Sequence, residues 1–505
     1  MFAASSSSGL WNVGGASAPR PRSITISTAV GALRPLPHSR KLAQTIIGLI
    51  VALAVPCFAA ARPNFLVIIS DDQRPDTIHA LGNRVIRTPH LDSLVSGGTA
   101  FTRAAAAYPI CVASRAEILT GVSSLRNGVP YGGGKLKPGL AFWAETMQKA
   151  GYRTWYVGKW HNDGSPKTRG YMETRGLYTS GGGKEQTLPR DWSGREVTGY
   201  RGWTFKTDDG RAEPDKGVGL TPDISRRFAD AAVELINRKP AEPFFLHVNF
   251  TTPHDPLHLP PGYAGKYDPR DIPLPANFLP EHPFDHGNFR GRDELLWPWP
   301  RTPGDVRGEL AAYYAVIEYM DAQIGRIIAA LRASGQADNT IIIFSSDQGL
   351  AIGSHGLRGK QNLYQHTFNV PLIFSGPGIP KDRRVAAQCY LRDLFPTTCE
   401  MAGIKIPETV QGRSTVPVLT GKADSVYPHL VGYFTDTQRM IRDDRWKLIW
   451  YPKLDRYQLF DLIADPDELK DLATDPRHAE TRSDLRAKLE AWLKKNGDPL
   501  LRASH

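Results

Sequence analysis

Cysteine is scarce in this 505-residue chain, which holds only four. Cys57 lies in an N-terminal stretch that we expect to be removed, which leaves Cys111, Cys389 and Cys399. Three cysteines do not make a disulfide framework. If Cys111 is modified, Cys389 and Cys399 are free to pair. The preferred interpretation is two buried thiols, one on a strand and one on a helix.

Heptad runs, short-period repeats and blocks of like charge are also absent from the sequence. No zinc-finger, helix-turn-helix or RNA-binding pattern occurs, so nothing indicates a nucleic-acid partner. With 41% hydrophobic and 22% charged residues, the composition is that of a globular protein. A chain of this length can bury a large core, and we expect one large domain and a smaller one.

The first 61 residues contain no Asp or Glu and are rich in Ser, Gly, Pro and Arg. Two basic residues precede an apolar stretch over 46–55, and Ala59 and Ala61 frame a cleavage site. This order predicts a secretory signal peptide with an N-terminal extension over 1–61. The excess length also fits a misassigned start codon, and Cys57, preceded by proline, fits a lipoprotein site badly.

The apolar stretch is short for a membrane span, so we expect no permanent membrane span and a periplasmic or secreted protein. Residues 1–61 hold five basic and no acidic residues, so their removal lowers the formal net charge from +11 to +6. A mildly basic exported protein suits a polyanionic substrate.

Apolar runs of strand length, each followed by polar residues, alternate with helix-like segments. This alternation predicts an α/β fold with a large, mostly parallel sheet sandwiched by helices. Because ligands bind beyond the carboxyl ends of the strands in such sheets, we expect the polar clusters to share one site. The predicted strands are 64–70, 154–157, 244–250, 341–344 and 370–374, and the predicted helices are 140–150, 221–238, 306–333 and 391–402.

Two long segments without a clear period, 162–220 and 255–305, are interpreted as substrate-enclosing loops, with variable surface decoration as the alternative. After about residue 425 the pattern changes to short antiparallel strands and a closing amphipathic helix. We therefore expect a catalytic domain over 62–424 and a small antiparallel α+β domain over 425–505. The predicted C-terminal strands are 430–434, 439–442, 446–451 and 457–461, and the helix is 482–495.

The segment from Cys111 to Gly121 reads Cys-Val-Ala-Ser-Arg-Ala-Glu-Ile-Leu-Thr-Gly. Ser114 followed by Glu117 predicts a capping box, and Gly121 predicts a helix end. Cys111 would then lie just before a helix N-terminus, where free N–H groups and the macrodipole favour an anion and lower the pKa of a thiol. A small buried cysteine beside an ordinary cap is the alternative.

Four oxygen-bearing side chains follow the ends of two apolar runs, namely Asp71, Asp72, Asp347 and Gln348. Four oxygen donors suit a hard divalent cation. Adjacent carboxylates also repel one another unless a cation compensates them. Each acid alone is more typical of a turn or a helix cap, but the set predicts a metal site.

Lys159 and His161 follow another run, and their spacing on a strand-like segment puts both side chains on one face. Lysine supplies a point charge for an anion, and histidine exchanges a proton near neutral pH. His254 lies in Pro-His-Asp-Pro over 253–256, where the prolines make a stiff turn. A surface loop histidine is the alternative.

These segments resemble, in order and spacing, the motifs of the formylglycine-dependent sulfatases of the alkaline-phosphatase-like superfamily. The segment at Cys111 is similar to that family's Cys-x-Pro/Ala-Ser-Arg followed by Leu-Thr-Gly. Residues 158–161 resemble Gly-Lys-Trp-His, and 253–256 resemble Pro-His-x-Pro. The similarity spans about 63–472. It implies an alkaline-phosphatase-like fold and hydrolysis of sulfate esters. The basic, aromatic insertions favour a sulfated carbohydrate over a small aryl ester as the substrate.

The resemblance also implies residue roles. A formylglycine-generating maturation enzyme oxidises Cys111 to formylglycine, whose hydrate carries the nucleophile. Calcium, with magnesium as the alternative, is implied at Asp71, Asp72, Asp347 and Gln348, and residue 111 is a further ligand. The implied catalytic residues are Cys111, Arg115, Lys159, His161, His254 and Lys360. The implied substrate-binding residues are Lys159, His254, Lys360, His355 and Arg358, and for the last two a role in stabilising the loop is the alternative.

Three departures from the family pattern accompany these roles. Ala113 stands where proline is commoner, Gln348 where Asn or His is usual, and Asn162 where leucine is usual.

Two alternative functions stay open. One is a phosphodiesterase or phosphonate hydrolase of the same superfamily, and the other is a non-catalytic binder of sulfated glycans, if Cys111 is never oxidised.

Overall fold

The computed structural model describes residues 62–129, 133–184, 190–196, 198–255 and 257–502. The predicted signal peptide over 1–61 lies outside these residues. Across the described ranges, no helix combines the length and the apolar character that a bilayer crossing requires.

Ten strands form one large sheet at the centre of the molecule. In chain order they are β1 (Asn64–Ser70), β2 (Gly98–Ala105), β3 (Arg153–Lys159), β4 (Glu173–Thr179), β5 (Thr204–Lys206), β6 (Ala212–Val218), β7 (Phe244–Asn249), β8 (Thr340–Ser346), β9 (Leu372–Ser375) and β10 (Arg383–Tyr390).

The strand order in this sheet is β10-β2-β9-β8-β1-β7-β3-β4-β5-β6. Strands β5 and β9 pair antiparallel with both of their neighbours, and all other neighbouring pairs are parallel. The predicted mostly parallel sheet is therefore confirmed. The carboxyl ends of β8, β1, β7 and β3 lie side by side at one edge, which is where parallel α/β sheets place ligands.

Helices cover both faces of the sheet. The α-helices are α1 (Pro89–Ser96), α2 (Cys111–Thr120), α3 (Ser124–Asn127), α4 (Trp143–Lys149), α5 (Ile224–Ile236), α6 (Pro303–Ala333), α7 (Gln365–Phe368), α8 (Leu394–Met401), α9 (Val416–Leu419), α10 (Ala479–Asn496) and α11 (Pro499–Arg502). Short 3₁₀ helices are His79–Leu81, Pro166–Arg169, Pro269–Asp271, Glu294–Leu296, Ala337–Asn339, Leu391–Asp393, Pro452–Leu454 and Pro476–His478.

The alternation of side chains along β1 divides the core into two layers. Phe65, Val67 and Ile69 belong to a cluster that includes residues of α2, α4 and α8. Leu66 and Ile68 face the other cluster, which includes residues of α1, α5 and α6. Successive strand residues point to opposite faces, and each face here is covered, so the strand is apolar along its length.

A second sheet of four antiparallel strands, β11 (Leu430–Phe434), β12 (Gln438–Arg442), β13 (Trp446–Tyr451) and β14 (Arg456–Asp461), is a simple meander. Helix α10 packs on it through Leu485, Leu489 and Leu493, which recur at helical spacing. The smaller antiparallel α+β unit is confirmed. Its core is continuous with the α2 face of the large sheet, and the boundary at 424/425 stays a prediction.

Two sequence expectations need correction. Residues 162–220 were expected to be irregular, yet β4, β5 and β6 lie there and extend the sheet. Strands β2 and β10 were not predicted, because their sequences mix small and polar residues with few consecutive apolar ones. Cys389 on β10 and Cys399 on α8 are buried free thiols, as the preferred interpretation predicted.

Candidate active site

The neighbouring ends of β1 and β8 bring the predicted acidic residues together. Ser70 pairs in register with Ser346, so the residues that follow each strand meet. The backbone N–H of Asp72 donates to Oδ1 of Asp347 over 3.1 Å. Asp71, Asp72 and Asp347 are fully buried. The predicted acidic constellation is thus assembled by strand pairing.

Cys111 is the first residue of α2 rather than the residue before it, with Ile110 at the N-cap. The predicted capping box is therefore wrong. Ser114 donates from its hydroxyl to the backbone oxygen of Asp347 over 2.5 Å, and so ties α2 to the end of β8. Glu117 accepts from the N–H of Ser124 over 2.8 Å. Gly121 does end the helix in a left-handed conformation, with φ of 66°.

The thiol of Cys111 contacts the acidic residues directly. Its Sγ lies 3.3 Å from Oδ1 of Asp71 and 3.9 Å from Oδ1 of Asp72. Burial, followed by the charge of Asp71, raises the pKa of this thiol well above its usual value. The predicted lowered pKa is wrong for the unmodified cysteine, because burial and the charge of Asp71 disfavour the thiolate.

The same cluster fits a divalent cation. One ligand atom each from Asp71, Asp72, Cys111 and Asp347 lies within 4.8 Å of all the others. Burial, followed by the charge of Asp71, raises the pKa of Asp347 to about 7. Repulsion of this kind between carboxylates is relieved when a metal ion adds its charge.

Gln348 belongs to this cluster through its side-chain amide. Nε2 contacts Asp72 and lies 3.0 Å from Sγ of Cys111, while Oε1 is buried with no hydrogen-bond partner among the described residues. The two ends of an amide are assigned from their surroundings, and a half-turn exchanges them. That half-turn directs Oε1 at the carboxylates and completes a set of oxygen donors suited to Ca²⁺.

Three cationic side chains, those of Lys159, Arg115 and Lys360, face the carboxylates of Asp71, Asp72 and Asp347. Lys159 Nζ lies 2.6 Å from Oδ2 of Asp71. Arg115 Nε lies 2.8 Å from Oδ2 of Asp347, and its NH1 donates to Asn249 over 2.7 Å. Although burial alone raises the pKa of Asp71, Lys159 and the other cations hold it well below its usual range.

Lys159 reaches this position through a close approach of β3 to β7. Gly158 has φ of 92°, and a Cβ atom there would lie 1.9 Å from the backbone oxygen of Asn249. Only glycine tolerates that combination of conformation and contact. Lys159 and His161 were predicted to share one face of a strand. Strand β3 ends at Lys159, so His161 lies beyond the strand and approaches the acidic cluster from the following loop.

Lys360 comes from the loop after β8, and its ammonium group approaches both the carboxylate of Asp72 and the thiol of Cys111. Its Nζ lies 2.7 Å from Oδ2 of Asp72 and 3.3 Å from Sγ of Cys111. Burial alone would lower the pKa of Lys360, but Asp72 raises it well above its usual value. The ammonium group is therefore retained at neutral pH.

His254 borders the same cluster. Its Nε2 lies 3.6 Å from Oδ2 of Asp72, and its Nδ1 lies 2.5 Å from the backbone oxygen and 3.3 Å from Oδ1 of Asp255. Because Nδ1 must carry a proton to donate to this backbone oxygen, Nε2, which faces the cluster, is the unprotonated nitrogen of the neutral ring. Burial, followed by Lys360, lowers the pKa of His254.

His161 lies beside the cluster without bonding to it. Its ring contacts Trp203 edge-on at 5.0 Å, and its buried Nδ1 has no hydrogen-bond partner within the described part of the chain. Burial, followed by the charge of Lys159, lowers the pKa of His161 well below its usual value. The ring is therefore neutral and has a free nitrogen.

The two weaker substrate-binding candidates differ in position. Arg358 is buried, pairs with Glu309 at 2.8 Å and approaches Asp255 at 3.6 Å, so it joins the surroundings of His254. His355 instead stacks on Tyr364, with ring centroids 3.9 Å apart, and none of its contacts reaches the acidic cluster. A substrate role for His355 stays a prediction.

Sequence patterns missed several residues of this site. Tyr200 donates its hydroxyl to Asp71 and packs on His254 with ring centroids 4.6 Å apart. It lies in the Gly-rich insertion, where no local pattern distinguishes it. Asn249 closes β7, and Arg292 pairs with Asp255. A search for polar residues at every strand end would have found Asn249.

Comparison with known proteins identifies the family. The sulfatase family model matches residues 63–404, and the model described as N-sulphoglucosamine sulphohydrolase, C-terminal, matches residues 353–495. An arylsulfatase of Clostridium perfringens is 30% identical over 451 residues, which cover 84% of this chain and 93% of that protein.

Two solved structures share the fold. A structure in complex with its substrate D-glucosamine-2-N,6-O-disulfate has a TM-score of 0.70 and 22% identity, covering 87% of this chain and 99% of the other. A phosphonate monoester hydrolase of Agrobacterium radiobacter has a TM-score of 0.72 and 23% identity, covering 86% and 96%. The matched residues and the fold together place this chain in the sulfatase family, the sulfuric ester hydrolases with an alkaline-phosphatase-like architecture.

Proposed function

We propose that this protein hydrolyses sulfate monoesters of a sulfated carbohydrate, with formylglycine at position 111 and a bound Ca²⁺ ion. The observation that carries the proposal is the position of Cys111. It heads α2 in contact with the carboxylates of Asp71 and Asp72 and the ammonium of Lys360. A maturation enzyme would have to oxidise this residue, and export to the periplasm or the medium would follow the predicted signal peptide.

Two groups supply chemistry that unmodified side chains lack. Formylglycine offers a hydrated aldehyde as the nucleophile, and a cation held by Asp71, Asp72, Asp347 and Gln348 supplies positive charge beside it. A thiol at position 111 lacks the second hydroxyl that would release sulfate, so an unconverted protein would not turn over.

Lys159 and Lys360 are placed to hold the sulfate oxygens. Both ammonium groups are buried and both contact carboxylates of the proposed metal site. In a water-excluded site their attraction for an anion is much stronger than in water. They would therefore orient the sulfate group beside residue 111 and stabilise the charge that grows on its oxygens.

His254 is placed to protonate the leaving alcohol. Its Nε2 faces the cluster, while the backbone oxygen of Asp255 accepts from Nδ1 and so fixes both the tautomer and the ring orientation. The carboxylate of Asp255, 3.3 Å from Nδ1, adds a negative charge there. Burial and Lys360 keep the ring neutral in the free protein, and the negative charge of a bound sulfate ester favours its protonation.

His161 and Arg115 complete the proposed machinery. The free, neutral ring of His161 can accept a proton during the release of sulfate. Arg115, paired with Asp347 and 3.8 Å from Asp71, keeps a fixed positive charge behind residue 111. That charge favours the deprotonated form of an attacking hydroxyl.

A carbohydrate substrate is supported by the cleft next to His254. This cleft has a volume of about 170 Å³, and Asp191, Arg195, Asp255, Glu309 and Arg358 are among its lining residues. Guanidinium and carboxylate groups in one cleft can hydrogen-bond the many hydroxyls of a sugar. These side chains pair with one another in the free protein, and a small aryl group would offer them no further hydrogen bond.

The phosphonate or phosphodiester alternative can be tested directly. Sulfate, phosphate and phosphonate esters of one alcohol would be compared by kcat/KM. We expect the sulfate ester to be preferred over the phosphate monoester, because a phosphate monoester carries more negative charge than a sulfate, and sites for it tend to add further cations or metal ligands. The phosphonate ester carries the same single charge as the sulfate ester, so its kcat/KM is the direct test of the alternative. A higher kcat/KM on a phosphorus ester would transfer the assignment to the alternative.

The conversion of Cys111 is tested by mass spectrometry of the intact peptide that spans residue 111, since formylglycine is lighter than cysteine. We expect formylglycine in the wild-type protein and none in Cys111→Ser. The variant should lose turnover of sulfated mono- and oligosaccharides yet keep its fold, as judged by circular dichroism and Tm. Wild-type turnover by Cys111→Ser would refute the proposal, and an unconverted wild type would favour the glycan-binding alternative.

A further inference from the structure

A second, strongly basic cleft lies at the far end of α2. It has a volume of about 540 Å³ and is enclosed by the α2–α3 turn, the segment around residues 411–413, the segment before β11, and the last turns of α10. Helix α2 runs from Cys111 to Thr120, and an α-helix rises about 1.5 Å per residue. This distal cleft is thus separated from position 111 by roughly the length of α2, about 15 Å.

The charge of the distal cleft is of one sign. Among the described residues that line it, none is acidic, and five are Arg or Lys. Arg126, Arg413 and Lys495 are exposed and have no carboxylate partner among the described residues. Unpaired cations that share a cleft raise the local concentration of an anionic ligand.

Contacts among several side chains form the floor of the cleft. Arg392 is buried, pairs with Glu117 at 2.9 Å and lies 3.6 Å above the ring of Tyr390. Arg413 lies over the ring of Tyr427 at 4.8 Å, and the hydroxyl of Tyr427 donates to Asp393 over 2.7 Å. These contacts hold cations and aromatic rings in fixed positions.

Aromatic side chains stand beside the cations. Trp492 is half-buried and stacks on Tyr433, with ring centroids 6.2 Å apart. Tyr427 is also half-buried and lines the same cleft. Flat apolar surfaces next to cations suit a ligand that combines apolar ring faces with anionic groups. A sulfated oligosaccharide has both, since its sugar rings present C–H faces and its substituents carry the charge.

We propose that the distal cleft binds an anionic segment of the sulfated glycan as a non-catalytic anchor. The proposal deepens the proposed function and rests on it for the identity of the glycan. Because the cleft and position 111 lie at opposite ends of α2, the anchor would hold the polymer while other parts of it reach the active site. Small substrates would not need it.

The test compares two variants that lose the same charge. The cleft variant is Arg126→Gln/Arg413→Gln/Lys495→Gln. The control variant is Lys239→Gln/Arg332→Gln/Lys381→Gln, which removes three exposed cations outside the cleft. Binding of a size-defined dextran sulfate oligosaccharide is measured by calorimetry at several salt concentrations, and kcat/KM is measured on 4-nitrophenyl sulfate and on a desulfatable polymer.

We expect the cleft variant to bind the oligosaccharide about tenfold more weakly or worse. The slope of log K against log salt concentration should become shallower by about two to three, because contacts with a linear polyanion are lost. Its kcat/KM on 4-nitrophenyl sulfate should match the wild type, while KM for the polymer rises. The control variant should keep the wild-type slope. Equal effects in both variants would overturn the anchor, since general electrostatics would then explain the binding.

Two further experiments distinguish the glycan anchor from binding of other polyanions and from the catalytic proposal. Single-stranded DNA and anionic phospholipid vesicles serve as competitors, and displacement of the oligosaccharide by either at equal charge would contradict a glycan-selective cleft. A Cys111→Ser protein that binds dextran sulfate through the cleft supports the anchor independently of turnover. If the protein desulfates sugars but the cleft variant binds normally, the anchor fails and the proposed function stands.

Discussion

The ammonium of Lys360 lies 2.7 Å from the Asp72 carboxylate, although 288 positions separate the two residues in the chain. Both side chains are buried, and Lys360 also contacts Cys111. The pair links the proposed metal site to the position of the nucleophile.

Replacement of Lys360 by methionine keeps the bulk of the side chain and removes its charge. We expect Lys360→Met to lower kcat/KM on a sulfate ester by about 100-fold or more, because it removes a preorganised charge that would face the developing anion. Lys381→Met, at an exposed position, is the control and should keep wild-type kinetics. A loss below threefold in a folded Lys360→Met protein would remove Lys360 from the proposed machinery.

Calcium should stabilise the protein through Asp347 and its neighbours. Dialysis against a chelator should lower both Tm and activity, and Ca²⁺ at 100 times its Kd should restore about 2.7 kcal/mol of stability. Asp347→Asn should abolish most of this Ca²⁺-dependent rise in Tm, measured by scanning calorimetry. The exposed Asp338→Asn variant is the control and should respond as the wild type does. An unchanged rise in Asp347→Asn would exclude that residue as a ligand.

Asp255 should act on catalysis by positioning His254. Asp255→Asn removes the carboxylate beside Nδ1 and with it a charge that raises the pKa of His254. Because the protonated ring is the proposed acid, activity should fall at a lower pH on the alkaline side of the kcat profile, and kcat should drop about 10- to 100-fold. KM should change little on 4-nitrophenyl sulfate, which has no sugar hydroxyls for Asp255 in the cleft to bind. The exposed Asp209→Asn variant controls for the loss of a carboxylate. An unshifted alkaline limb would contradict this positioning role.

Acid should destabilise the fold through three buried histidines that contact one another, His282, His286 and His355. Burial lowers the pKa of His282 to about 4, and it lowers those of His286 and His355 to about 3. The folded pKa values lie below the unfolded value of about 6.5, so the folded state binds fewer protons. Their contribution to stability is therefore complete above pH 6.5 and is lost as the pH falls toward 4.

We expect each of these histidines to cost about 1 kcal/mol of unfolding free energy per pH unit in that window. His286→Leu should flatten the decline, because both ring nitrogens of His286 are buried without hydrogen-bond partners among the described residues. His79→Leu, at an exposed position, should follow the wild-type curve. Urea unfolding from pH 7.5 to 4.5 measures the slopes, and parallel slopes for His286→Leu and the wild type would count against this account.

Much of the fold was readable from the sequence because its central strands are apolar throughout. The runs that became β1, β7 and β8 carry a signal that depends only on their own residues, and the four-stranded C-terminal meander was equally local. Strands β4, β5 and β6, the last three in the sheet order, were not predicted, because their sequences carry few consecutive apolar residues.

The sequence by itself determined the residue types of the site and their order, because motifs such as Cys111–Gly121 and Gly158–His161 are local. The tertiary structure alone decided which groups touch. Strand pairing brought Asp347 to Asp72, a loop brought Lys360 to Cys111, and the insertion supplied Tyr200. The same contacts reversed the predicted pKa of the thiol, because burial and neighbouring charges act through space between residues that are far apart in the chain.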